Sequence, residues 1–290
     1  MSGAPTPLNE LQEFILRGRN QDGGWGYHPG KSSRLEPTCW GMLALAPETD
    51  PTALRTWPTA DGLLLERRGG APNFAFHGLA LLTLRALGVE HRDGTPSMLQ
   101  AIQRVKGEKL APSKVNRQDN SLQGWSWIAD TFSWVEPTAW CLLALKHHAR
   151  TQGHSISAGR VEVAEQLLLD RCCLEGGWNY GNSNMLGQQL KPYIPTTAIA
   201  LLALQDRPAV DEVKRSVEFL ARQGATERSG AALSLAFVTL TTFQRRTAAA
   251  SVQNALLAQI PTTIAFGNHM AAAMALYCLS AKGAHAAFAL

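Results

Sequence analysis

The stretch LEPTCWGMLAL, residues 35–45, returns at 135–145 as VEPTAWCLLAL and, weakened, at 194–204 as IPTTAIALLAL. A glycine and tryptophan turn precedes each copy, at Gly24-Trp25, Gly124-Trp125 and Gly177-Trp178. The proline of each copy follows that tryptophan by twelve residues in the first two cases and by seventeen in the third. An apolar helix that recurs with the same lead-in indicates an array of like structural units. The third unit is predicted to carry an insertion.

Two kinds of helix alternate along the chain. Amphipathic helices are predicted at 8–19, 58–68, 97–107, 158–172, 209–223 and 248–259. Helices that are apolar on almost every side are predicted at 37–46, 74–88, 137–149, 196–205, 229–243 and 268–281. No convincing strand is found, since β-branched residues are few and follow no period of two. This alternation favours an all-α closed ring of helical hairpins with the apolar helices inside. An open solenoid would alternate as well, without requiring such apolar inner helices.

The start of the repeated helix has a structural explanation. Pro37 and Pro137 suit the first position of a helix, where the missing N–H costs nothing. Glu36 and Glu136 then fall at the cap position, where a carboxylate favours the helix dipole. Helix capping is therefore an alternative explanation for Glu36 and Glu136 wherever a catalytic role is considered for them.

The composition describes a globular chain with a sizeable core, at 45% hydrophobic and 17% charged residues over 290 positions. The net charge is +4 and the basic pairs are scattered, so the sequence shows no basic patch of the kind that binds nucleic acid. The five cysteines are odd in number and lack CxxC spacing, which indicates reduced thiols in a core. The chain shows no secretory signal at its start and no apolar tract of the roughly 18 residues a membrane span needs. We expect one cytoplasmic domain over 1–290 with frayed ends at 1–7 and 284–290. Peripheral membrane contact is left open.

The run FILRGRNQDGGW, residues 14–25, followed by EPTCWGMLAL, resembles the glutamine–tryptophan (QW) repeat and inner helix of the terpenoid cyclase and protein prenyltransferase superfamily, the squalene-hopene cyclases in particular. The run LLLDRCCLEGGW at 167–178 repeats the pattern, and SLQGW at 121–125 does so loosely. The resemblance implies an α/α toroid of six helical hairpins, an α6/α6 barrel, with a cavity lined by the inner helices. The glutamine stands before the tryptophan only in the first copy, as Gln21, so its amide is expected to bridge to the ring only there.

The same resemblance suggests where a catalytic acid would stand. Class II cyclases protonate an alkene or epoxide with the middle aspartate of a DxDD motif that precedes Thr-Ala at the start of an inner helix. On this chain that position falls on Glu136, and Glu36 is its counterpart in the first repeat. The chemistry needs a strong acid in a dry cavity, whereas burial weakens a carboxylic acid and no second carboxyl stands beside Glu136 in the sequence. Protonation by Glu136 and helix capping by Glu136 both remain open.

Metal and cofactor chemistry is not expected. No DDxxD run is present for magnesium-assisted ionisation of a diphosphate. The zinc site of the prenyltransferase β subunits, which joins an aspartate two residues before a cysteine to a later histidine, is also not expected. His269 and Cys278 lie on one predicted helix at a spacing too long for a shared ligand set. We predict no metal and no cofactor.

Aromatic and histidine side chains on the apolar helices, or in the turns that enter them, are the candidates for substrate binding. Aromatic faces grip apolar chains and stabilise carbocations, although large rings also fill cores. The candidates are Trp40, Phe76, His77, Trp134, Trp140, Tyr193 and His269. A core histidine bonded to a backbone carbonyl is the structural alternative for both histidines.

The sequence is compatible with two functions. The first is a terpenoid-cyclase-like enzyme or binder that acts on a polyprenyl or similar apolar small molecule, with a second toroid or another protein as partner. The second is a toroid without chemistry that serves as a structural or protein-interaction module. The two differ in whether aromatic faces, His77 and Glu136 surround an open cavity or a solid core.

Overall fold

The computed structural model describes residues 6–46, 49–89, 95–152, 156–280 and 287–290, and over these residues the chain is largely helical. In chain order the elements are α1 Pro7–Arg17, α2 Leu35–Ala44, α3 Thr52–Arg55, α4 His77–Ala86, α5 Thr95–Arg104, α6 Val135–Gln152, α7 Ala158–Asp170, β1 Asn184–Met185, β2 Gln188–Gln189, α8 Ile194–Ala203, α9 Asp211–Gln223, α10 Gly230–Thr242, α11 Arg246–Ala265 and α12 His269–Leu279. Within this described part, no helix combines the length and the apolarity that crossing a bilayer requires.

The six apolar helices form where the sequence predicts them, as α2, α4, α6, α8, α10 and α12. They are buried on nearly all sides, and on α8 every residue except Pro195 is buried. Each packs against the next in the order α2, α4, α6, α8, α10, α12, and α12 packs against α2. The six apolar helices therefore contact one another in a closed cycle, which places them at the centre of the molecule.

The amphipathic helices lie outside this centre. Helix α5 packs on α4, α7 on α6, α9 on α8, and α11 on α10 and α12, while α1 packs on α12 and α11. The prediction of a helix at 58–68 was wrong. That segment is extended, with isolated bridges from Pro58 to Leu64 and from Leu65 to Pro72. Gly62 adopts a φ of +79° there, and the backbone of Ser97 leaves no room for a β-carbon. A turn that needs glycine overrides the amphipathic pattern.

One hydrogen-bonding unit repeats around the ring and explains the recurrent Trp and Thr residues. The backbone N–H of each turn tryptophan donates to a threonine hydroxyl on the following inner helix, over 3.0 Å from Trp25 to Thr38, 3.0 Å from Trp125 to Thr138 and 2.9 Å from Trp178 to Thr197. Each indole Nε1 donates to a carbonyl near the end of the preceding outer helix, that of Ile15, Ile102 or Leu168. The tryptophan thus joins an outer helix to the next inner helix.

The structure reveals a copy of this unit that the sequence pattern hides. Leu64 N–H donates to the Nε2 atom of His77, across the same thirteen-residue spacing that separates Trp25 from Thr38. Leu64 and His77 therefore replace the tryptophan and the threonine in the unit that contains α4. Neither residue type matches the Trp and Thr motif, so this copy cannot be recognised from the sequence motif.

The loops that lead into the inner helices also close the ring. In three units the carbonyl oxygen two residues after the turn position, which is Trp25, Leu64 or Trp178, accepts the N–H of the first residue of an adjacent inner helix. Glu66 O accepts Leu35 N–H at 2.9 Å, and Tyr180 O accepts Val135 N–H at 3.0 Å. Tyr27 O accepts His269 N–H at 2.9 Å, which connects the first part of the chain to α12. Backbone N–H groups at the start of a helix have no acceptor within the helix, and here the neighbouring unit supplies one.

The expected bridge from the Gln21 amide to its tryptophan is replaced by arginine. Gln21 is exposed, and the guanidinium of Arg19 lies 5.5 Å from the centre of the Trp25 ring. In the second repeat the guanidinium of Arg160, from α7, stacks 3.5 Å from the Trp125 ring. It also donates to the carbonyls of Val105 and Gly124. A cation with several donors satisfies a helix end and covers the indole face at once.

The insertion predicted in the third unit is a small β-hairpin. Strands β1 and β2 pair antiparallel, and the two residues between them, Leu186 and Gly187, both have positive φ. This is the geometry of a type I′ turn. Strands of two residues leave no period-two pattern, so the sequence gives no sign of them.

We expect Thr138→Val to destabilise the protein by about 1–3 kcal/mol, because the buried N–H of Trp125 loses its acceptor while the side-chain volume is kept. The change is measured as a lower urea midpoint. Thr241→Val is the matched control, since the Thr241 hydroxyl returns to the Phe237 carbonyl on its own helix and leaves no donor stranded. Equal losses in the two variants would contradict the role of the repeated bond.

Candidate functional site

Two glutamates occupy the second position of their inner helices, Glu36 on α2 and Glu136 on α6. Each stands one helical turn before an interior tryptophan, and the rings of Trp40 and Trp140 are 6.1 Å apart between centroids. The two carboxyls therefore lie at the same level of the ring. Both carboxyls are closely surrounded by protein, although each glutamate as a whole is half-buried, and we call their surroundings the recess.

The recess weakens both acids. Burial raises the pKa of Glu36 to about 8, and the charges of Glu136 and Glu66 add to the rise, while a hydrogen bond from the Tyr27 hydroxyl at 2.7 Å opposes it. Burial raises the pKa of Glu136 to about 7. The charge of Glu136 thus acts on Glu36, although one hundred positions separate the two residues in the sequence. Near neutral pH this pair holds at least one proton, because both folded pKa values lie at or above neutrality.

Aromatic side chains surround the same end of the ring. Tyr27, Trp127 and Tyr180 each stand two residues after a turn tryptophan, while Phe76, Trp134 and Tyr193 each precede the first residue of an inner helix. They meet in pairs: Trp127 lies 5.6 Å from Phe76, Tyr180 lies 5.1 Å from Tyr193, and Phe132 lies 4.7 Å from Trp134, between ring centroids. We call these seven residues the aromatic mouth: Tyr27, Phe76, Trp127, Phe132, Trp134, Tyr180 and Tyr193.

The aromatic mouth is open to solvent on one side. Tyr180 is 51% exposed, Tyr193 is 47% exposed and Phe132 is 38% exposed. Large exposed rings grouped around a recess with two carboxyls are typical of ligand sites. The exposed rings lie at the N-terminal ends of the inner helices, where the carboxyls also lie.

Farther along the ring axis the interior is filled by rings. Trp40 and Trp140 are buried with Tyr277 of α12 and with Phe288, from the last residues of the sequence. The centroid of Phe288 lies 5.5 Å from Trp40, 5.7 Å from Trp140 and 5.5 Å from Tyr277. Residues 284–290 were expected to fray; 284–286 lie outside the described residues, and Ala287 and Phe288 are buried in the core. These four residues, Trp40, Trp140, Tyr277 and Phe288, form the interior aromatic cluster, a solid core that closes the ring axis at their level. A substrate site can therefore lie only on the carboxyl side of this cluster.

The seven aromatic and histidine candidates separate into three groups. Trp40 and Trp140 belong to the interior aromatic cluster, while Phe76, Trp134 and Tyr193 belong to the aromatic mouth. The two histidines are engaged by the scaffold. His77 accepts the Leu64 N–H, and burial lowers its pKa to about 3 so that it is neutral. The His269 ring lies against Phe14, 5.0 Å between centroids, with Nδ1 3.1 Å from the Gly26 carbonyl.

Sequence reasoning missed several residues of the site. Tyr27, Trp127 and Tyr180 carried a signal, since an aromatic residue recurs two positions after each turn tryptophan. Phe288 carried none, because its packing partners belong to helices far away in sequence.

The residues with metal-ligand chemistry do not converge within the described part of the chain, where no three His, Cys, Asp or Glu side chains are grouped for a metal ion. Asp170 does stand two residues before Cys172, the spacing found in prenyltransferase zinc sites. Its carboxylate accepts hydrogen bonds from Arg171 and from the Asp119 N–H. The Cys172 sulfur lies 3.6 Å from the Ser216 hydroxyl. Both groups are thus used by the scaffold.

No protein-family model matches this chain. No curated protein is similar enough to match it. Among solved structures it is similar to the type II terpene cyclase MstE from Scytonema, at 16% identity and a TM-score of 0.57, with 87% of this chain and 77% of that chain covered. A variant of MstE in complex with its substrate, geranylgeranyl dihydroxybenzoate, matches at 15% identity and a TM-score of 0.53, covering 89% and 77%. A glycosidase variant matches at 12% identity and a TM-score of 0.55, covering 93% and 94%. At these identities the likeness shows the fold, so the expected terpenoid-cyclase-like fold is confirmed.

Proposed function

We propose that this protein is a terpenoid-cyclase-like α/α toroid of six helical hairpins that takes a polyprenyl or similar apolar substrate through the aromatic mouth and protonates it with the Glu36 and Glu136 pair. The observation that supports this most is the position of two coupled carboxyls inside a recess framed by aromatic rings. The rings would hold an apolar chain and the carboxyls would meet its polar or reactive end.

The acidity of the two carboxyls limits which groups of a substrate they can protonate. A carboxyl whose pKa lies near 7 is about half protonated at neutral pH and is suited to transfer its proton to an oxygen atom. Protonating an unactivated alkene carbon requires a much stronger acid. We therefore favour an oxygenated isoprenoid, such as an epoxide or an allylic alcohol, whose C–O bond breaks as the proton arrives. In this scheme Glu136 delivers the proton and Glu36, held by Tyr27, is the partner that keeps the pair protonated.

The aromatic faces have a role in the same scheme. Breaking a C–O bond leaves positive charge on the isoprenoid carbon chain, and aromatic faces stabilise such charge. Trp40 and Trp140 lie one turn beyond the two carboxyls, so that a chain reaching inward from the carboxyls would contact them. The oxygen stays on the chain as a hydroxyl when an epoxide opens and leaves as water when an allylic alcohol reacts. Glu136 in its ionised form would then accept a proton from the cation, which yields an alkene and regenerates the acid.

Glycoside cleavage is a second candidate, since paired carboxyls of raised pKa between aromatic platforms also suit that reaction. The glycosidase matched above has about the same length as this chain. The aromatic interior behind the carboxyls favours an apolar chain over a sugar. A toroid without chemistry that binds another protein through the aromatic mouth is the non-catalytic alternative, and the cytoplasmic location stays a prediction.

The test is incubation of purified protein with polyprenyl alcohols, their terminal epoxides and aryl glycosides, with products identified by mass spectrometry. We expect products from an isoprenoid, and a loss of about a hundredfold or more in rate for Glu136→Gln. Glu162→Gln, on the exposed face of α7, is the matched control and should retain the wild-type rate. Equal rates for wild type and Glu136→Gln would remove Glu136 from the mechanism. Turnover of glycosides alone would support the second candidate, and absence of both turnover and binding would leave the non-catalytic module.

A further inference from the structure

We propose that the segment Ala287–Leu290 is the floor of the substrate compartment and that Phe288 sets the longest apolar chain the ring admits. This inference rests on the proposed function, because it specifies the substrate class of the same compartment.

Phe288 lies on the axis of the ring. It is completely buried, and its ring contacts aromatic side chains of three inner helices: Trp40 of α2, Trp140 of α6 and Tyr277 of α12. Helices α2 and α6 are separated by α4 in the cyclic order, and α12 lies on the far side of α2. A single ring reaches all three helices only from the space that they enclose. Phe288 therefore fills the centre of the inner helices.

The segment enters from the end of the ring opposite the aromatic mouth. Gln205, just beyond the C-terminal end of α8, donates from Nε2 to the Phe288 carbonyl at 2.7 Å and accepts the Leu290 N–H through Oε1 at 3.0 Å. Ala287 N–H lies 3.4 Å from the hydroxyl oxygen of Tyr277, near the C-terminal end of α12. One amide side chain thus holds the segment by both of its polar atoms, at the ends of the inner helices farthest from Glu36 and Glu136.

These positions give the compartment a depth. Glu36 and Glu136 mark its polar level, and Trp40 and Trp140 form its walls one turn farther in. Phe288 packs in a tilted geometry against the rings of Trp40 and Trp140. A chain that enters by the aromatic mouth passes the carboxyls and then meets Phe288, whose ring blocks further entry. The allowed length is therefore set by a residue on a separate segment and not by the inner helices themselves.

The test measures how binding depends on chain length. Wild type, Phe288→Ala and Phe288→Leu are titrated with unbranched isoprenoid alcohols of ten, fifteen, twenty and thirty carbons, and binding is followed by quenching of tryptophan fluorescence. We expect the preferred length to rise by at least one isoprene unit in Phe288→Ala. Affinity for the next longer alcohol should improve about tenfold or more, since several additional CH₂ groups become buried. Phe288→Leu should lie between the two.

Phe219→Ala is the matched control, because it removes the same side chain from the outer helix α9, where Phe219 is partly buried against the core. Its length preference should equal that of wild type. Thermal melting reports whether each variant folds, and Phe288→Leu retains an apolar group if Phe288→Ala does not fold. An unchanged length preference in a folded Phe288 variant that still binds isoprenoids overturns this inference and leaves the proposed function standing. Absence of isoprenoid binding at every length, in wild type and variants alike, overturns both.

Discussion

Replacing Glu36 and Glu136 together by glutamine is expected to remove most of the alkaline loss of stability of this protein. Both carboxyls have raised pKa values, about 8 for Glu36 and about 7 for Glu136, against values near 4.5 in the unfolded chain. The folded state then binds more protons than the unfolded state. This contribution to stability is complete below the unfolded pKa and is lost as the pH rises through the folded values.

The loss should be large, because the half-buried pair must ionise where protein replaces much of the surrounding water, beside Glu66. We expect the wild type to lose on the order of a few kcal/mol of unfolding free energy between pH 5 and pH 9. The double variant should lose much less, since glutamine is neutral at every pH and still accepts the Tyr27 hydroxyl hydrogen bond. Urea unfolding at one-unit pH steps measures the difference. Glu162→Gln should follow the wild type, and parallel curves for wild type and the double variant would show that the recess does not hold protonated carboxyls.

Lys146→Met is expected to lower the unfolding free energy by about 3–5 kcal/mol at neutral pH, the range for breaking a buried ion pair. The buried ammonium of Lys146 lies 2.6 Å from Glu165 Oε1 and 2.6 Å from Asp206 Oδ1, and it donates to the Ala203 carbonyl at 2.8 Å. Methionine fills a similar volume without a charge. It leaves Glu165 with Arg207 as its remaining cation in the described structure.

The control for Lys146 is Lys214→Met on α9. Its ion pair with Asp211 is exposed, so less than about 1 kcal/mol is expected from its loss. Urea denaturation of both variants gives the comparison. The cations beside Glu165 also lower the pKa of that carboxyl, so the wild-type advantage over Lys146→Met should shrink as the pH falls and Glu165 becomes protonated. Similar losses in the two lysine variants would mean that the buried network contributes nothing beyond a surface pair.

The candidate site was partly predictable. Glu136 was predicted because the repeat places it where the family that the chain resembles carries its acid. Trp140 was predicted as an aromatic residue on an apolar helix, and Phe76, Trp134 and Tyr193 as aromatic residues at the entrances of such helices. The pairing of Glu36 with Glu136 was not predicted. One hundred positions separate the two residues in the sequence, and only the packing of α2, α4 and α6 brings them to one level.

The two histidines show why residue type alone misleads. His77 takes the place of a threonine as acceptor for a backbone N–H, and His269 binds the Gly26 carbonyl. Both are polar groups on apolar helices, as a ligand-binding residue would be, but their partners belong to loops that the sequence does not place beside them. Phe288 shows the opposite case, since a residue expected at a frayed end lies on the axis of the ring.

The sequence by itself determined the six apolar helices and five of the six predicted amphipathic ones, because local patterns of apolar residues fix which faces must be buried. It also marked the entrance of each inner helix as the end where polar and aromatic groups gather. The tertiary structure alone decided which repeats face each other, that two glutamates share one recess, and that the last residues close the interior. These are contacts between positions far apart in the chain, and no local pattern encodes which distant surface will cover a given side chain.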